Sequence, residues 1–410
     1  MHILFLADNF PPEVNAPASR TYEHCRVWID AGHRVTVVTG APNFPVGRVF
    51  DGYKNKLWQR ETMSGIAVIR VWTYIAANEG FIQRVLDYLS FMMSAAIACL
   101  FVRRVDVVIG TSPQFFTVCA AHLVALLKRR PFVFELRDLW PESIKAVGAM
   151  RDSVFIRLME VLESHLYGQA RLIVSVTHSF RSRLIDRGVD PNKIAVVTNG
   201  VDLEKFSPQP KDEHLEAELA LAGKFVAGYV GTHGMAHALE TVLAAAKDIS
   251  RSSDSDRFRI IMLGDGAKKR ELKAEAARQQ LTNVVFIDSV PKDQVPRYWS
   301  LLDVSIIHLR KTHLFETVIP SKLFECMGMG IPVLHGVAGE SAKIVTQEGV
   351  GIVFEPENVD AMIAGLRRFE ADSALIGSCR RRCIAAARHY DRHALAQSML
   401  ASLERACKRS

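Results

Sequence analysis

Short apolar runs alternate with helix-length amphipathic segments along this 410-residue chain, and that alternation restricts the fold more than any single motif does. A strand buried on both faces reads as an unbroken apolar stretch, the mark of a parallel sheet covered by helices on either side. Residues 2–7, 34–39, 67–71, 105–110, 131–136, 172–176 and 194–197 read as such strands in the first half, with 14–31 as the first helix. In the second half the strands fall at 225–230, 258–263, 284–287, 304–308, 332–334 and 351–354. The expectation is an α/β protein of two doubly wound, Rossmann-like halves. The turn Asn199-Gly200-Val201-Asp202 and the stretch Pro208-Gln209-Pro210-Lys211-Asp212-Glu213 mark the junction, which places the first domain at residues 1–203 and the second at 204–389. A last amphipathic segment, 393–407, has no strand after it.

Composition narrows the class. The seven cysteines are odd in number and scattered, with no CxxC pair and no Cys/His cluster at zinc spacing, as expected of a reduced cytoplasmic protein. The opening run, Met1-His2-Ile3-Leu4-Phe5-Leu6-Ala7-Asp8, is too short for a signal peptide and lacks a basic flank, and reads as a buried first strand. A net charge of +7 asks for an anionic partner. No nucleic-acid recognition motif or basic-aromatic stripe accompanies it, so nucleic acid is not the expected partner. Residues 88–102 carry no charge, with Arg84 before them and Arg103-Arg104 after. The run is shorter than the roughly 20 apolar residues of a spanning helix. It reads either as a core helix of the first domain or as a helix lying at the inner membrane surface with its arginines among the headgroups. Peripheral attachment is the expectation.

Several strings carry residues suited to chemistry. Ile319-Pro320-Ser321-Lys322-Leu323-Phe324-Glu325 reads as a loop entering a short helix near Ser321, ended by Gly328-Met329-Gly330-Ile331-Pro332. Backbone N–H groups at such an N-terminus, from Ser321 to Leu323, favour a phosphate, and so does the helix dipole. Glu325 stands one turn in, placed to accept hydrogen bonds from a ribose diol. Alone, a capped helix with a Gly–Pro exit explains the stretch equally well. Gly231-Thr232-His233-Gly234 is the first βα turn of the second domain, where glycines let a diphosphate approach the backbone. Gly264-Asp265-Gly266 closes the next strand and reads equally as a sharp turn or a nucleotide contact. In the first domain, Glu135-Leu136-Arg137-Asp138-Leu139-Trp140-Pro141-Glu142 sets charge at the carboxyl end of a buried strand, where α/β sheets bind ligands. Arg137, Asp138 and Glu142 are candidates for the sugar or acceptor side, against a local Arg–Asp pair, and Arg20 is poised to meet a phosphate or acceptor. Asp254-Ser255-Asp256 has the form of a DxD metal motif but lies in the polar loop after Ser250-Arg251-Ser252-Ser253. It reads as a solvated turn, and no metal is expected.

Together these strings resemble the retaining glycosyltransferases of family 4, over nearly the whole chain. Val197-Thr198-Asn199-Gly200-Val201-Asp202, followed by Phe206, is similar to that family's "NGVD…F" hinge. Arg137-Asp138-Leu139-Trp140-Pro141-Glu142, with Asn9-Phe10-Pro11-Pro12-Glu13 and Ala18-Ser19-Arg20, resembles a subset that builds bacterial surface polysaccharides, N-acetylfucosaminyl transferases among them. The resemblance implies a GT-B fold, two Rossmann-like domains facing each other across a cleft, with a C-terminal helix at about 390–410 packing back on the first. It implies transfer of a sugar from a UDP-sugar to a lipid-linked saccharide, in O-antigen or capsule synthesis, with no metal or other cofactor. Asn199, Gly231, Thr232, His233, Gly234, Gly264 and Gly266 would then bind the donor together with Ser321, Lys322, Leu323 and Glu325. Asp138 and Arg137 would be catalytic, Arg20 and Glu142 acceptor-binding. Two places depart from the family pattern. Thr232 and His237 stand where most members carry an Arg and a Lys, and Thr317 stands where they carry a first Glu. The diphosphate grip therefore falls to backbone amides with Lys322, Arg310 or Lys311. A UDP-N-acetylhexosamine 2-epimerase on the same fold and a non-catalytic sugar-nucleotide-binding protein are the alternative readings.

Overall fold

A computed structural model describes residues 1–44, 47–75, 81–139 and 154–408. The chain forms two compact units, Met1–Thr198 with Arg392–Ser410, and Asn199–Asp391.

The first unit is built on eight strands: β1 (His2–Leu6), β2 (Arg34–Gly40), β3 (Trp58–Met63), β4 (Ile66–Val71), β5 (Val107–Thr111), β6 (Phe132–Leu136), β7 (Leu172–Ser175) and β8 (Ile194–Val196). They lie in the order β3-β4-β2-β1-β5-β6-β7-β8. Phe5 of β1 stands opposite Val37 on one side and Ile109 on the other, both in parallel register. Side chains alternate along a strand, and β1 shows it. Leu4 and Leu6 join Phe91, Val118 and Phe134 in one core, whereas Ile3 and Phe5 join Trp28, Met399 and Leu403 in the other.

Only β3 among these strands runs antiparallel, as a hairpin with β4. The turn residues Ser64 and Gly65 have φ of 49° and 80°, the two positive values that a type I′ hairpin turn requires. Nothing in the sequence marks this strand, because Trp-Gln-Arg-Glu-Thr-Met is polar and only half-buried.

The first helix, Ala16–Asp30, begins after the expected residue 14 because Asn15 caps it, accepting from the Ala18 N–H at 2.9 Å, with Pro17 in the first turn. Its buried Trp28 donates from Nε1 to the Ala396 carbonyl at 2.9 Å, which anchors the helix Arg392–Lys408 within this unit. The division at Thr198 falls earlier than residue 203. Val201 explains this: its side chain is fully buried in the second unit's core with Phe206, and its N–H donates to the Tyr390 carbonyl at 2.9 Å.

Most of the uncharged run 88–102 lies in the helix Phe81–Leu100, and the helix has a buried face and an exposed one. Phe91, Ala95 and Cys99 are buried in the core, while Met93, Ile97 and Leu100 are exposed. Among the described residues no helix is long and apolar enough to cross a membrane.

The second unit carries β9 (Phe225–Val230), β10 (Phe258–Leu263), β11 (Val284–Ile287), β12 (Val304–His308), β13 (Val333–Gly336) and β14 (Gly351–Val353). Their order is β11-β10-β9-β12-β13-β14, all parallel. The winding reverses between β9 and β12, and ligands of open α/β sheets bind at the carboxyl ends of the strands at such a reversal.

Candidate functional site

In the second unit the residues converge at the carboxyl end of β9. The turn Gly231–Gly234 is held against the turn Gly264–Gly266. Gly231 N–H donates to the Leu263 carbonyl at 2.8 Å, His233 N–H to the Asp265 carbonyl at 2.8 Å, and Lys268 N–H to the His233 carbonyl at 2.9 Å. The approach is too close for side chains: a Cβ on Gly264 would lie 1.9 Å from the Gly231 oxygen, and one on Gly266 2.6 Å from the His233 oxygen. At φ of 141° and 153° these two positions also favour glycine. The amides of Gly231 and His233 are thus spent on zipping the turns together, and among the described residues those of Thr232 and Gly234 are not spent this way. The helix that follows, Glu240–Ser250, starts only after a short 3₁₀ turn at Met235–His237.

The helix Lys322–Met329 delivers a cation to this turn. Ser321 precedes it without a side-chain cap bond. The Lys322 side chain is half-buried, and its amine donates to the Tyr229 hydroxyl at 3.2 Å and sits 4.6 Å from the centre of that ring. It runs through the space a Cβ on Gly231 would fill, 2.0 Å from Lys322 Cε. Burial pulls the amine down to about 8, with Glu325 acting in the opposite direction. Glu325 lies in the first turn of the helix.

Leu323 plays a different part from the one expected of it. Its side chain is fully buried in the core and its N–H donates to the Pro320 carbonyl at 3.0 Å. Arg310 and Lys311 are likewise committed: Arg310 donates to the Met235 carbonyl and to Glu240, both at 2.6 Å, and Lys311 to Glu355 at 2.6 Å. Of the three cations considered for a diphosphate, Lys322 is the one set against the glycine turn.

The histidines beside it are neutral. His233 is fully buried and is lowered to about 4 by that burial and by Lys269 and Lys322. His237 is lowered to about 4 by burial and then by Lys322. Neither ring nitrogen of His233 has a hydrogen-bond partner among the described residues. Asn199 opens the second unit, at the junction. The carboxylates of the DxD string are already paired, Asp254 with Arg367 at 2.8 Å, Asp256 with Lys224 at 2.6 Å and with Arg259 at 3.1 Å.

In the first unit, Arg137 and Asp138 follow β6 at its carboxyl end. Their N–H groups donate to Ser112 Oγ at 2.8 and 3.2 Å, and Arg137 Nη1 donates to the Pro17 carbonyl at 3.2 Å. Burial lowers the Arg137 guanidinium to about 10. Arg20 is not offered to an acceptor. It is 3% exposed and spends its guanidinium on Glu135 Oε1 (3.0 Å), the Thr198 carbonyl (2.7 Å) and the Val197 carbonyl (2.9 Å). Glu142 lies outside the described residues.

Two further residues of these regions bear on the chemistry. Asp8 follows β1 at its carboxyl end, and burial raises its carboxyl to about 8, helped by Asp87 and Glu13. A carboxylate directly after an all-apolar strand was a usable signal for it. Tyr229 is the one hydroxyl-bearing residue of β9, and nothing in the sequence ties it to Lys322.

Comparison with known proteins agrees with this architecture. A family profile described as "Glycosyl transferase 4-like domain" matches residues 15–200, and one described as "Glycosyl transferases group 1" matches residues 210–390. A putative colanic acid biosynthesis glycosyl transferase, WcaI of Escherichia coli K12, is 25% identical over 386 residues, covering 90% of this chain and 92% of that protein. An Escherichia coli UDP-Gal:alpha-D-GlcNAc-diphosphoundecaprenol alpha-1,3-galactosyltransferase is 27% identical over 189 residues, 46% of this chain and 48% of its own. The crystal structure of Anabaena Alr3699/HepE in complex with UDP superposes with a TM-score of 0.74 at 17% identity, covering 98% of this chain and 100% of that one. One mainly and one wholly parallel sheet, with the likeness over the whole chain, make this a GT-B fold.

Proposed function

Starting from the chain's membership of glycosyltransferase family 4, which both of its domains display, we propose that it transfers a sugar from a UDP-sugar to a lipid-linked saccharide in the synthesis of a bacterial surface polysaccharide, with retention at the anomeric carbon. The observation that carries this reading is the half-buried Lys322 amine set beneath the Gly231 turn at the carboxyl end of β9. As the bond from the sugar to the diphosphate breaks, negative charge grows on the departing phosphate. A fixed ammonium and the amides of Thr232, Gly234 and Ser321 offset that charge without reorganising. Glu325 accepts from the ribose hydroxyls. The acceptor hydroxyl forms the new bond on the same face and its proton passes to a phosphate oxygen, with Asp138 and Arg137 orienting the acceptor. No divalent metal takes part, since protein groups neutralise the phosphates. Transfer to a lipid-linked sugar draws support from the galactosyltransferase relative, whose name gives alpha-D-GlcNAc-diphosphoundecaprenol as the partner of UDP-Gal, and a UDP donor from the UDP complex of the HepE structure. The polysaccharide context draws support from the colanic acid relative.

Peripheral attachment to the inner membrane surface belongs to the same proposal. Met93, Ile97, Leu100 and Phe101 are exposed, and the adjoining helix Phe115–Lys128 adds exposed Leu123, Leu126 and Leu127. Exposed Arg103, Arg104, Arg129 and Arg130 follow the two helix ends. Apolar side chains with a cationic rim suit an interface of acyl chains below anionic headgroups.

Labelled UDP-sugars incubated with the protein, with and without lipid extract, test the function. Label passing into lipid is the expected result. Isomerised sugar released without an acceptor would make it an epimerase, and binding without turnover a sensor; either outcome overturns the transferase reading.

A further inference from the structure

Resting on the donor-site reading above, we infer that Tyr229 is a positioning residue, holding the Lys322 amine in place for a nucleoside diphosphate and making diphosphate binding depend on the protonation of that single amine. The geometry gives the phenol two bonds of opposite sense. Its O–H donates to the Thr232 carbonyl at 2.8 Å, which leaves the oxygen to accept from Lys322 at 3.2 Å. The ring supplies its face to the same amine, 4.6 Å away. Tyr229 is itself buried to 1% exposure, fixed in β9 two residues before Gly231. One side chain thus sets both the cation and the backbone turn on which a diphosphate would rest. Gly231 serves the same purpose, because any side chain there would collide with Lys322.

The groups facing the amine are Glu325 and Cys326 from its own helix, Tyr229 from β9, and His233 and His237 from the loop that follows. The histidines are neutral and burial holds the Cys326 thiol up, so Glu325 is the charged neighbour in this set. A partly desolvated ammonium resting on a phenol is short of negative charge, which agrees with its lowering to about 8. A diphosphate supplies that charge and raises the amine's affinity for its proton. Binding must then take up a proton wherever the free amine has lost it, and affinity must fall as pH rises through that range.

Calorimetric titration of UDP, with GDP alongside, tests this on the whole protein. Affinity should be level below about pH 8 and fall by up to about tenfold per pH unit above it. At about pH 9 the heat should change with the ionisation enthalpy of the buffer, reporting proton uptake. Tyr229→Phe keeps the ring but loses the oxygen. It should weaken binding several-fold at neutral pH and move the fall in affinity to lower pH. Lys322→Met should bind weakly with a level profile. Should that variant fail to fold, Lys322→Arg must level the profile too, because a guanidinium does not titrate here. If UDP binds and Glu325→Ala weakens it, yet Tyr229→Phe follows the wild-type profile or Lys322→Arg keeps the fall, the proposal is overturned and the donor site stands. If neither nucleotide binds at any pH, the donor-site reading falls and the proposal with it.

Discussion

The Arg20 guanidinium donates from Nε to Glu135 Oε1 at 3.0 Å, across 115 residues of sequence, with both side chains almost completely buried. The remaining guanidinium nitrogens reach the carbonyls of Val197 and Thr198, the last residues of the first unit before the chain leaves it. A helix, the end of β6 and the exit strand are therefore tied by one side chain. Burying a charge without a partner is far more costly than burying the pair, so the clamp binds all three elements together.

Arg20→Ala should destabilise the first unit by about 3–5 kcal/mol, because Glu135 loses its ion-pair partner in the core and only Arg137 remains to offset its charge. Urea unfolding of wild type and variant measures it; a loss near zero would show that the clamp is not needed. The pair also fixes a pH dependence. Burial alone would push Glu135 up, but Arg20 and Arg137 hold it below the usual carboxylate range. Its contribution is therefore complete above the ordinary value of 4.5 and disappears as pH falls through the lowered one. Stability of the wild type should drop at acid pH, and Arg20→Ala should flatten that drop.

Glu325→Ala should cost on the order of 1.5–3 kcal/mol of UDP affinity, the value of a hydrogen bond to a charged group. The fold should survive, since the residue is only half-buried at the start of its helix. Titration of UDP against the folded variant decides it, and unchanged affinity would remove Glu325 from the donor site.

Ile97→Ser with Leu126→Ser should release the protein from anionic liposomes and leave its melting temperature within a few degrees. Both side chains are exposed, at 55% and 66%. Phe91→Ser should instead unfold the first unit, because Phe91 is fully buried; truncating a buried phenylalanine costs about 3–5 kcal/mol. Wild-type binding should weaken with salt, since the arginine contribution is screened over about 10 Å at 0.1 M. Co-sedimentation that ignores both salt and the double substitution would refute attachment through this face.

Turnover should continue in EDTA. Asp254 and Asp256 already pair with Arg367, Lys224 and Arg259, and Lys322 is the cation proposed for the phosphates. Loss of activity on chelation, restored by Mn²⁺ or Mg²⁺, would contradict the proposal.

The parallel strands were legible because burial on both faces writes them as continuous Val, Ile and Phe runs, as in β5, β6 and β9. The edge strand β3 was not, because half-buried polar residues carry no such signature. The glycine turns were visible as turns. Their real constraint, one backbone pressed against another at Gly264 and Gly231, needs the fold to be seen. Tyr229 and Lys322 are 93 residues apart and Arg20 and Glu135 are 115. No local pattern encodes such pairings, so nothing marks Tyr229 and Arg20 reads as a cation poised for a phosphate or acceptor.

The docking of Ala396 against Trp28 has a consequence for biosynthesis. The first unit holds both early and late parts of the chain, so all of Asn199–Asp391 must leave the ribosome before Arg392–Lys408 can join it. Domains fold as units during synthesis, usually from the N-terminus onward; here the later-made unit can finish first. Until then Trp28, Ile3 and Phe5 wait without the Met399 and Leu403 side chains that complete their core. A released chain truncated after Asp391 should hold a protease-resistant second unit and a first unit that is readily cut.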